Sequence, residues 1–226
     1  MSEPTVIPPR QGEVIGDAPD RRVEILSECA PLHATWSRFG PGREGADLHV
    51  HREHTDLFYV LEGELTVRLG PEGSEVPVPA GTLARVPPLV VHGFRNGSDA
   101  EVRYLNLHAP GRRFVDYLRA MRDGREFAYD QHDPPADGGR SITEVVIGGD
   151  GPLLADVDDI RVEVIDRPQP TESDPHFRSF YVLEGVLALT ADGADLSAEA
   201  GTWIQVPPGT PHSISGGRYL RIRTPG

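Results

Sequence analysis

Apolar and polar residues alternate along several stretches of the chain. These stretches cover residues 23–26, 32–36, 57–69, 102–107, 142–147 and 160–165. Successive side chains of an extended strand point to opposite faces, so a period of two predicts strands with one buried face. Glycine and proline residues at 40–42, 70–73 and 77–81 interrupt the pattern and predict turns between short strands. The pattern therefore predicts a mainly β protein.

One segment has a helical period instead. Between residues 114 and 121, the side chains of Phe114, of Tyr117 or Leu118, and of Met121 fall on one face of a helix. Gly124 follows the segment and supplies a stop signal. We expect a short helix whose apolar face packs against the β structure.

Several short motifs occur twice in the same order. They are FYVLEG at 58–63 and 180–185, AGT at 80–82 and 200–202, VPP at 86–88 and 206–208, and a histidine at 92 and 212. A repeat of this kind indicates that one structural unit is present twice, so the chain is expected to form two similar domains.

Composition suggests where these domains begin and end. Residues 1–20 are acidic and rich in proline and are expected to form a flexible N-terminal arm. The first domain is then predicted at 21–125 and the second at 141–226. Residues 126–140 include the polar, non-periodic sequence DQHDPPADGGR and predict a linker, in which His132 is expected to be solvated.

The charged residues exclude several classes of function. The formal net charge is −13, and all 22 basic residues are arginines. An acidic chain without a lysine-rich surface is not expected to bind nucleic acid. The absence of lysine also excludes a lysine Schiff base and a P-loop. Cys29 is the single cysteine, which excludes an intramolecular disulfide and fits a reducing cytoplasm. No apolar run approaches the ~18 residues of a membrane span, so a soluble cytoplasmic protein is predicted.

Candidate metal ligands lie in the first half of the chain. His49 and His51 are two residues apart, so on a strand their imidazoles leave the same face. Asp56 follows on the same stretch, and His92 belongs to a later strand. Imidazoles and a carboxylate together suit one divalent ion of Fe, Mn, Ni, Co, Cu or Zn. The alternative is that these histidines are ordinary surface or core residues.

These residues also carry a family resemblance. The pattern G-x5-H-x-H-x3,4-E-x6-G is matched by His49, His51, Asp56 in the glutamate position, and Gly63. The pattern G-x5-P-x-G-x2-H-x3-N is matched by Gly81, Pro87, His92 and Asn96. Together they resemble the two motifs of the cupin superfamily. The resemblance implies two tandem jelly-roll β-barrels, each a pair of facing sheets, with the short helix between them. It also implies that His49, His51, Asp56 and His92 are ligands of a metal inside the first barrel.

The match to the family patterns is incomplete at three positions. Gly42 lies one residue too far upstream, and Leu89 replaces the inner glycine of the second motif. Asp56 is one methylene shorter than the glutamate usual in the family, so it either binds the ion or orients a ligand. Its neighbour His54 recurs as His176, in a half without the histidine pair, which favours a packing or hydrogen-bonding role, with a position at the mouth of the site as the alternative.

The second half lacks most of the candidate ligands. The positions that correspond to His49, His51 and Asp56 hold Thr171, Ser173 and Arg178. Only His212 remains, and an arginine repels a cation. We therefore predict a degenerate second domain that has no metal site, in which His212 is a buried, hydrogen-bonded residue.

The resemblance extends to an expected activity. Two-domain cupins include proteins similar to quercetinase-like and pirin-like dioxygenases, which implies a metal-dependent oxygenase acting on a small oxygenated organic compound. Asp56 or Glu53 is the candidate base, although an exposed loop charge is the favoured interpretation of Glu53, because carboxylates are seldom buried. Trp36, Phe58, Phe94 and Tyr104 are candidate pocket walls.

Two other functions fit the same residues. One is a metal-dependent isomerase or lyase, and the other is a non-enzymatic protein that binds a small ligand. The expected partner is a small molecule in each case, and the expected oligomeric state is a monomer or a homodimer.

Overall fold

The predicted mainly β architecture is confirmed. A computed structural model describes residues 3–149, 151–157 and 160–224. The elements as far as α1 are β1 (Thr5–Ile7), β2 (Glu13–Ala18), β3 (Arg21–Cys29), β4 (Leu32–Phe39), β5 (Thr55–Glu62), β6 (Glu64–Leu69), β7 (Ser74–Pro79), β8 (Leu83–Val86), β9 (His92–Arg95), β10 (Val102–Ala109) and α1 (Phe114–Arg122). The later elements are a 3-10 helix (Ile142–Glu144), β11 (Val146–Gly148), β12 (Leu153–Val157), β13 (Ile160–Ile165), β14 (Gln169–Glu172), β15 (Arg178–Glu184), β16 (Val186–Ala191), β17 (Ala194–Glu199), β18 (Trp203–Val206), β19 (His212–Ser215) and β20 (Arg218–Arg223).

The chain forms two compact units. The first domain consists of residues 13–150, and the second consists of residues 1–12 and 151–226. These boundaries differ from those expected at 20, 125 and 140. The difference at the N-terminus has a simple cause, since β1 pairs with β18 of the second domain and β2 pairs with β3 of the first. Residues 5–7 and 13–18 of the predicted arm are therefore paired strand rather than free chain, while Met1 and Ser2 lie outside the described residues.

The predicted linker also contributes to the first domain. His132 exchanges backbone hydrogen bonds with Val50, and Gly139 forms a bridge with Val90. Further along, β11 pairs with β8. Composition predicts irregular backbone for residues 126–140, and the structure agrees. These residues are nevertheless not a free linker, because their hydrogen bonds hold them against the first domain.

Two facing sheets make up the first domain. The larger has the strand order β11-β8-β5-β10-β4-β3-β2, and the smaller has the order β7-β6-β9. Side chains such as Phe58, Leu65 and Tyr104 fill the core and are almost fully buried. This sandwich gives the larger sheet an inward face, on which polar side chains stand beside apolar ones.

The helix α1 covers part of that inward face. It begins after Arg113, and Gly124 follows its end with a φ of 65°. Phe114 and Leu118 are buried as the sequence pattern predicts. Met121, expected on the same face, is 43% exposed because it stands near the end of the helix.

The second domain repeats the two-sheet plan. Its sheets have the orders β1-β18-β15-β20-β13-β12 and β14-β19-β16-β17. Phe180, Leu187 and Tyr219 are among the side chains of its separate core. In the described part of the chain, no helix is long and apolar enough to cross a membrane.

Candidate metal centre

Backbone pairing brings the predicted histidines together. The N–H of His49 donates to the carbonyl of His92 over 2.8 Å, and the N–H of His92 donates back over 2.9 Å. His51 lies two residues beyond His49, so its side chain leaves the same face. The ring centroids of His49 and His92 are 4.4 Å apart, and those of His49 and His51 are 4.7 Å apart. All three rings are buried.

Each of these rings has a backbone partner at Nδ1. His49 Nδ1 lies 2.7 Å from the carbonyl oxygen of Asp47, His92 Nδ1 lies 2.9 Å from that of Val90, and His51 Nδ1 contacts that of Asp130. A carbonyl oxygen only accepts, so Nδ1 is the donor in each ring. A neutral imidazole whose proton is on Nδ1 has its lone pair on Nε2. The Nε2 atoms of His49 and His51 are 3.2 Å apart, so these lone pairs converge.

Asp56 completes the cluster from the neighbouring strand β5. Its Oδ2 atom lies 3.4 Å from Nε2 of His92 and 3.7 Å from Nε2 of His51. One potential ligand atom from each of the four residues lies within 4.8 Å of the others, and all four residues are buried. The shorter side chain of Asp56 thus reaches the set of nitrogens. The structure brings together every residue that the sequence predicts as a ligand.

The protonation states of the cluster suit a cation. Burial lowers the pKa of His49 to about 3, which leaves the ring neutral and its lone pair free at neutral pH. Burial disfavours the charged form of Asp56, whereas the side-chain amide of Asn106, which donates to Asp56 Oδ1, favours it. Neutral imidazoles and an ionised carboxylate are the forms that bind a metal ion.

Asn106 fixes the position of Asp56. Its side-chain amide donates to Asp56 Oδ1 over 2.5 Å and to the carbonyl of Leu57 over 3.2 Å. Because both of these partners are acceptors, the atom that contacts them is the amide nitrogen. The Oδ1 atom of Asn106 therefore faces His108, whose Nε2 lies 3.1 Å away. The register of the two strands also places His108 next to Asp56, because His108 of β10 lies directly opposite Asp56 of β5.

A second group of polar side chains lies beside the first. His54 Nδ1 is 2.9 Å from the carboxylate of Asp130, and His54 Nε2 is 2.9 Å from His108 Nδ1. The hydroxyl of Tyr129 lies 2.9 Å from both of these last two nitrogens. His51, His54 and His108 form a second set of nitrogens close enough to share an ion.

Sequence reasoning missed most of this second group. His108 could have been found, since Tyr104, Asn106 and His108 share one face of β10 and place polar groups among core positions. Tyr129 and Asp130 carried no such signal, because they lie in irregular backbone. His54 was expected to have a packing or hydrogen-bonding role, and the structure gives it a hydrogen-bond partner at each ring nitrogen, Asp130 at Nδ1 and Tyr129 at Nε2.

Glu53 is not brought to the cluster. Its side chain is 60% exposed and forms an ion pair with Arg112 over 3.3 Å. What contacts the site is its backbone, whose N–H donates to Asp130 Oδ2 over 2.8 Å. Of the two candidate bases, only Asp56 therefore lies among the histidines.

A cavity of about 340 Å³ opens onto the cluster. His49, His51 and Asp56 form part of its wall, and α1 covers one side with Phe114 and Tyr117. Of the predicted wall residues, Phe94 and Tyr104 line the cavity. Trp36 and Phe58 are buried but do not line it. On β4, Thr35 and Ser37 face the cavity, so Trp36 between them faces the other way.

The corresponding positions of the second domain are arranged differently. His212 is buried, with Nδ1 3.0 Å from the carbonyl oxygen of Thr210 and Nε2 3.4 Å from the carboxylate of Glu172. Arg178 is buried too and forms an ion pair with Asp174. Burial and the nearby charge of Arg223 lower the pKa of Arg178 to about 10. Arg178 therefore places a positively charged side chain at the position that corresponds to Asp56.

Two facing sheets around buried imidazoles and a carboxylate define a β-sandwich protein with a candidate metal centre. The model of the cupin domain family matches residues 35–108 and 167–216, which together are more than half of the chain. The chain therefore belongs to the cupin family. One matched segment lies in each domain, and each segment includes strands of both sheets of its domain. No curated protein matches the chain significantly.

Solved structures share the fold over almost the whole chain. The Escherichia coli protein Ylba is 13% identical with a TM-score of 0.69, covering 98% of this chain and 90% of its own. AerE from Microcystis aeruginosa is 13% identical with a TM-score of 0.65, covering 98% and 99%. Salicylate 1,2-dioxygenase from Pseudaminobacter salicylatoxidans is 18% identical with a TM-score of 0.67, covering 98% and 84%. At these identities the likeness establishes the two-domain fold.

Proposed function

We propose that His49, His51, His92 and Asp56 bind one divalent transition metal, and that the protein is a metal-dependent oxygenase acting on a small oxygenated organic compound. The observation that carries the metal site is the orientation of the three imidazoles. Each donates its Nδ1 proton to a backbone carbonyl, so each presents an Nε2 lone pair to the space that Asp56 also faces.

The donor set fits a metal ion on chemical grounds. Lone pairs and a carboxylate that converge without protons between them repel one another, and burial removes the water that would separate them. A divalent cation satisfies all four groups at once. Three nitrogens and one oxygen suit Fe, Mn, Ni, Co, Cu or Zn, and leave coordination positions open in a six-coordinate ion.

The backbone contacts of the histidines add to this fit. A histidine that binds a metal usually donates its other ring N–H to a carbonyl or a carboxylate, which fixes the ring and strengthens the ligand. His49, His51 and His92 all have such a partner. Asn106 holds Asp56 in the same way from the opposite side.

The cavity supports small-molecule chemistry at this site. Its volume of about 340 Å³ lies near the lower end of the range for ligand pockets. A bound ion would polarise a substrate oxygen and, with a redox-active metal, support reaction with O₂. The protein itself contributes two further features. The aromatic residues of the cavity wall exclude water, and the hydrogen bonds to the histidines and to Asp56 fix the geometry of the cluster. The likeness to a salicylate 1,2-dioxygenase favours oxygenase chemistry over the other activities of this fold.

Oxygen uptake tests the proposal. Metal-free protein is reconstituted separately with each of the six metals and assayed in an oxygen electrode against phenols, enediols, 2-hydroxy acids and 2-keto acids. We expect metal-dependent uptake in the wild type, its loss in His51→Ala, and its retention in His212→Ala, which removes a buried histidine from the other domain. Turnover of a substrate at an equal rate without O₂ would contradict the oxygenase and indicate an isomerase or a lyase.

A further inference from the structure

Arg21 is an uncompensated cation in the wall of the cavity. It is the first residue of β3, opposite Phe39 of β4, and its side chain lines the same cavity as His49 and Asp56. Its Nε atom is buried without a hydrogen-bond partner. Among the described residues, no carboxylate lies within ion-pair distance of its guanidinium group, although the next residue, Arg22, pairs with two carboxylates.

The other charged side chains of the cavity wall are already engaged. Arg43 pairs with Asp20 over 3.0 Å. Glu44 and Asp47 both lie 3.8 Å from Arg68, and the Asp47 side chain is fully exposed. Asp56 belongs to the histidine cluster. The positive charge of Arg21 therefore remains available to whatever enters the cavity.

The charge of Arg21 acts inside the cavity. Burial raises the pKa values of the Tyr104 and Tyr117 hydroxyls, and Arg21 opposes this effect at both. Both tyrosines line the cavity, one from β10 and the other from α1. Arg21 thus stands close to residues on two sides of the space and can contact a molecule held between them.

A guanidinium whose Nε atom is buried without a hydrogen-bond partner is stabilised by an anion that accepts from it. Its planar fork of N–H donors matches a carboxylate through two parallel hydrogen bonds. A divalent ion bound by three neutral imidazoles and one carboxylate would add a further net positive charge. Both features favour an anion near Arg21 and the histidine cluster.

We propose that Arg21 binds a carboxylate group of the substrate, so that the substrates of this site are small carboxylic acids that present a second oxygen to the histidine cluster. This inference rests on the proposed function, because it takes the cavity as the substrate site. It assigns Arg21 to substrate selection, whereas the histidines and Asp56 hold the metal.

Paired acids and amides test the role of Arg21. The probes are salicylate and salicylamide, lactate and lactamide, and pyruvate and pyruvamide, titrated calorimetrically into metal-loaded protein. We expect at least one acid to bind the wild type at least about tenfold more tightly than its amide. Arg21→Gln should weaken acid binding by about tenfold or more and leave amide binding unchanged. Arg21→Lys should restore part of it, since lysine keeps the charge but loses the planar fork.

Arg43→Gln is the matched control, because Arg43 lines the same cavity but is already paired with Asp20. It should keep the wild-type preference for acids. Equal binding of acid and amide, equal acid binding in Arg21→Gln and wild type, or no binding of any acid would overturn the proposal. Metal content of the same samples reports separately on the metal centre, and a wild type without metal would contradict the proposed function alone.

Discussion

The Nε2 atom of His54 and the Nδ1 atom of His108 lie 2.9 Å apart, and in the neutral rings neither has a proton for the other. His54 donates its proton from Nδ1 to Asp130, and His108 donates its own from Nε2 to the Oδ1 atom of Asn106. Two lone pairs therefore face each other. Tyr129 stands 2.9 Å from both nitrogens, and its hydroxyl supplies the proton that one of them accepts.

Tyr129→Phe should therefore destabilise the protein. The change leaves two buried acceptors without a donor, which costs about 1–3 kcal/mol in free energy of unfolding. Urea denaturation of the metal-free protein measures this loss. Tyr117→Phe is the matched control, because Tyr117 stacks on Tyr129 with centroids 4.9 Å apart but its hydroxyl has no hydrogen bond among the described residues. Equal stabilities of the two variants would show that the hydroxyl of Tyr129 has no such role.

Asp56→Asn tests whether Asp56 binds the ion or only supports a ligand. The substitution keeps the shape of the side chain and removes its charge. If Asp56 is a ligand, metal affinity should fall by more than the roughly 10–100-fold typical of losing a residue that supports one. Competition with a chelating dye measures the affinity. Asp56→Glu restores the family's usual residue and should keep binding, whereas a less than tenfold effect of Asp56→Asn would place Asp56 outside the coordination shell.

The buried histidines make stability fall in mild acid. Burial lowers the pKa values of His49 and His54 from 6.5 to about 3. Between these values the unfolded chain binds protons that the folded protein does not, so the free energy of unfolding decreases as pH falls below about 6.5. The slope is at most about 1.4 kcal/mol per pH unit for each histidine. Above pH 7 this contribution is flat.

Urea denaturation of metal-free protein between pH 4 and 8 measures this slope. His49→Gln removes one of the buried histidines with a lowered pKa and should make the slope shallower by up to one proton. The same slope in wild type and His49→Gln would mean that His49 is protonated in the folded protein at these pH values. Such a result would contradict the neutral ring on which the metal centre depends.

Close backbone packing behind the centre predicts an effect of Gly93→Ala. A Cβ atom at Gly93 would lie 2.7 Å from the carbonyl oxygen of Ala46 and 3.1 Å from the backbone of Asp47, whose own carbonyl holds His49. The strain should cost about 1–3 kcal/mol in free energy of unfolding and weaken metal binding through His49. Gly16→Ala is the control, since nothing lies within 4 Å of a Cβ there. Equal effects of both substitutions would contradict this packing.

The four residues of the centre were predictable because their spacing reflects local geometry. His49 and His51 share a strand face, and the matched motifs supply Asp56 and His92. The contacts of His108 with His54 and Asp56 could not be read in the same way. They join positions about 50 residues apart through the register of β5 and β10, and register depends on the whole sheet.

Irregular and very short segments misled the sequence reasoning. Polar composition marked residues 126–140 as a linker, yet Asp130 accepts hydrogen bonds from the backbone N–H groups of Arg52 and Glu53. The three residues of β1 are too few to show a period, and their pairing with β18 satisfies an exposed strand edge. Composition shows that a segment lacks a regular period of its own, but it does not show which distant residues will form hydrogen bonds with it.

The metal content of protein purified without a metal-affinity tag tests the central claim most directly. Elemental analysis should compare wild type with His51→Ala and with His212→Ala, using circular dichroism to check that both variants are folded. We expect about one equivalent of a transition metal per chain in the wild type and in His212→Ala, and none in His51→Ala. Failure of the folded wild type to hold any of the six metals, even after reconstitution, would contradict the metal centre and the oxygenase built on it.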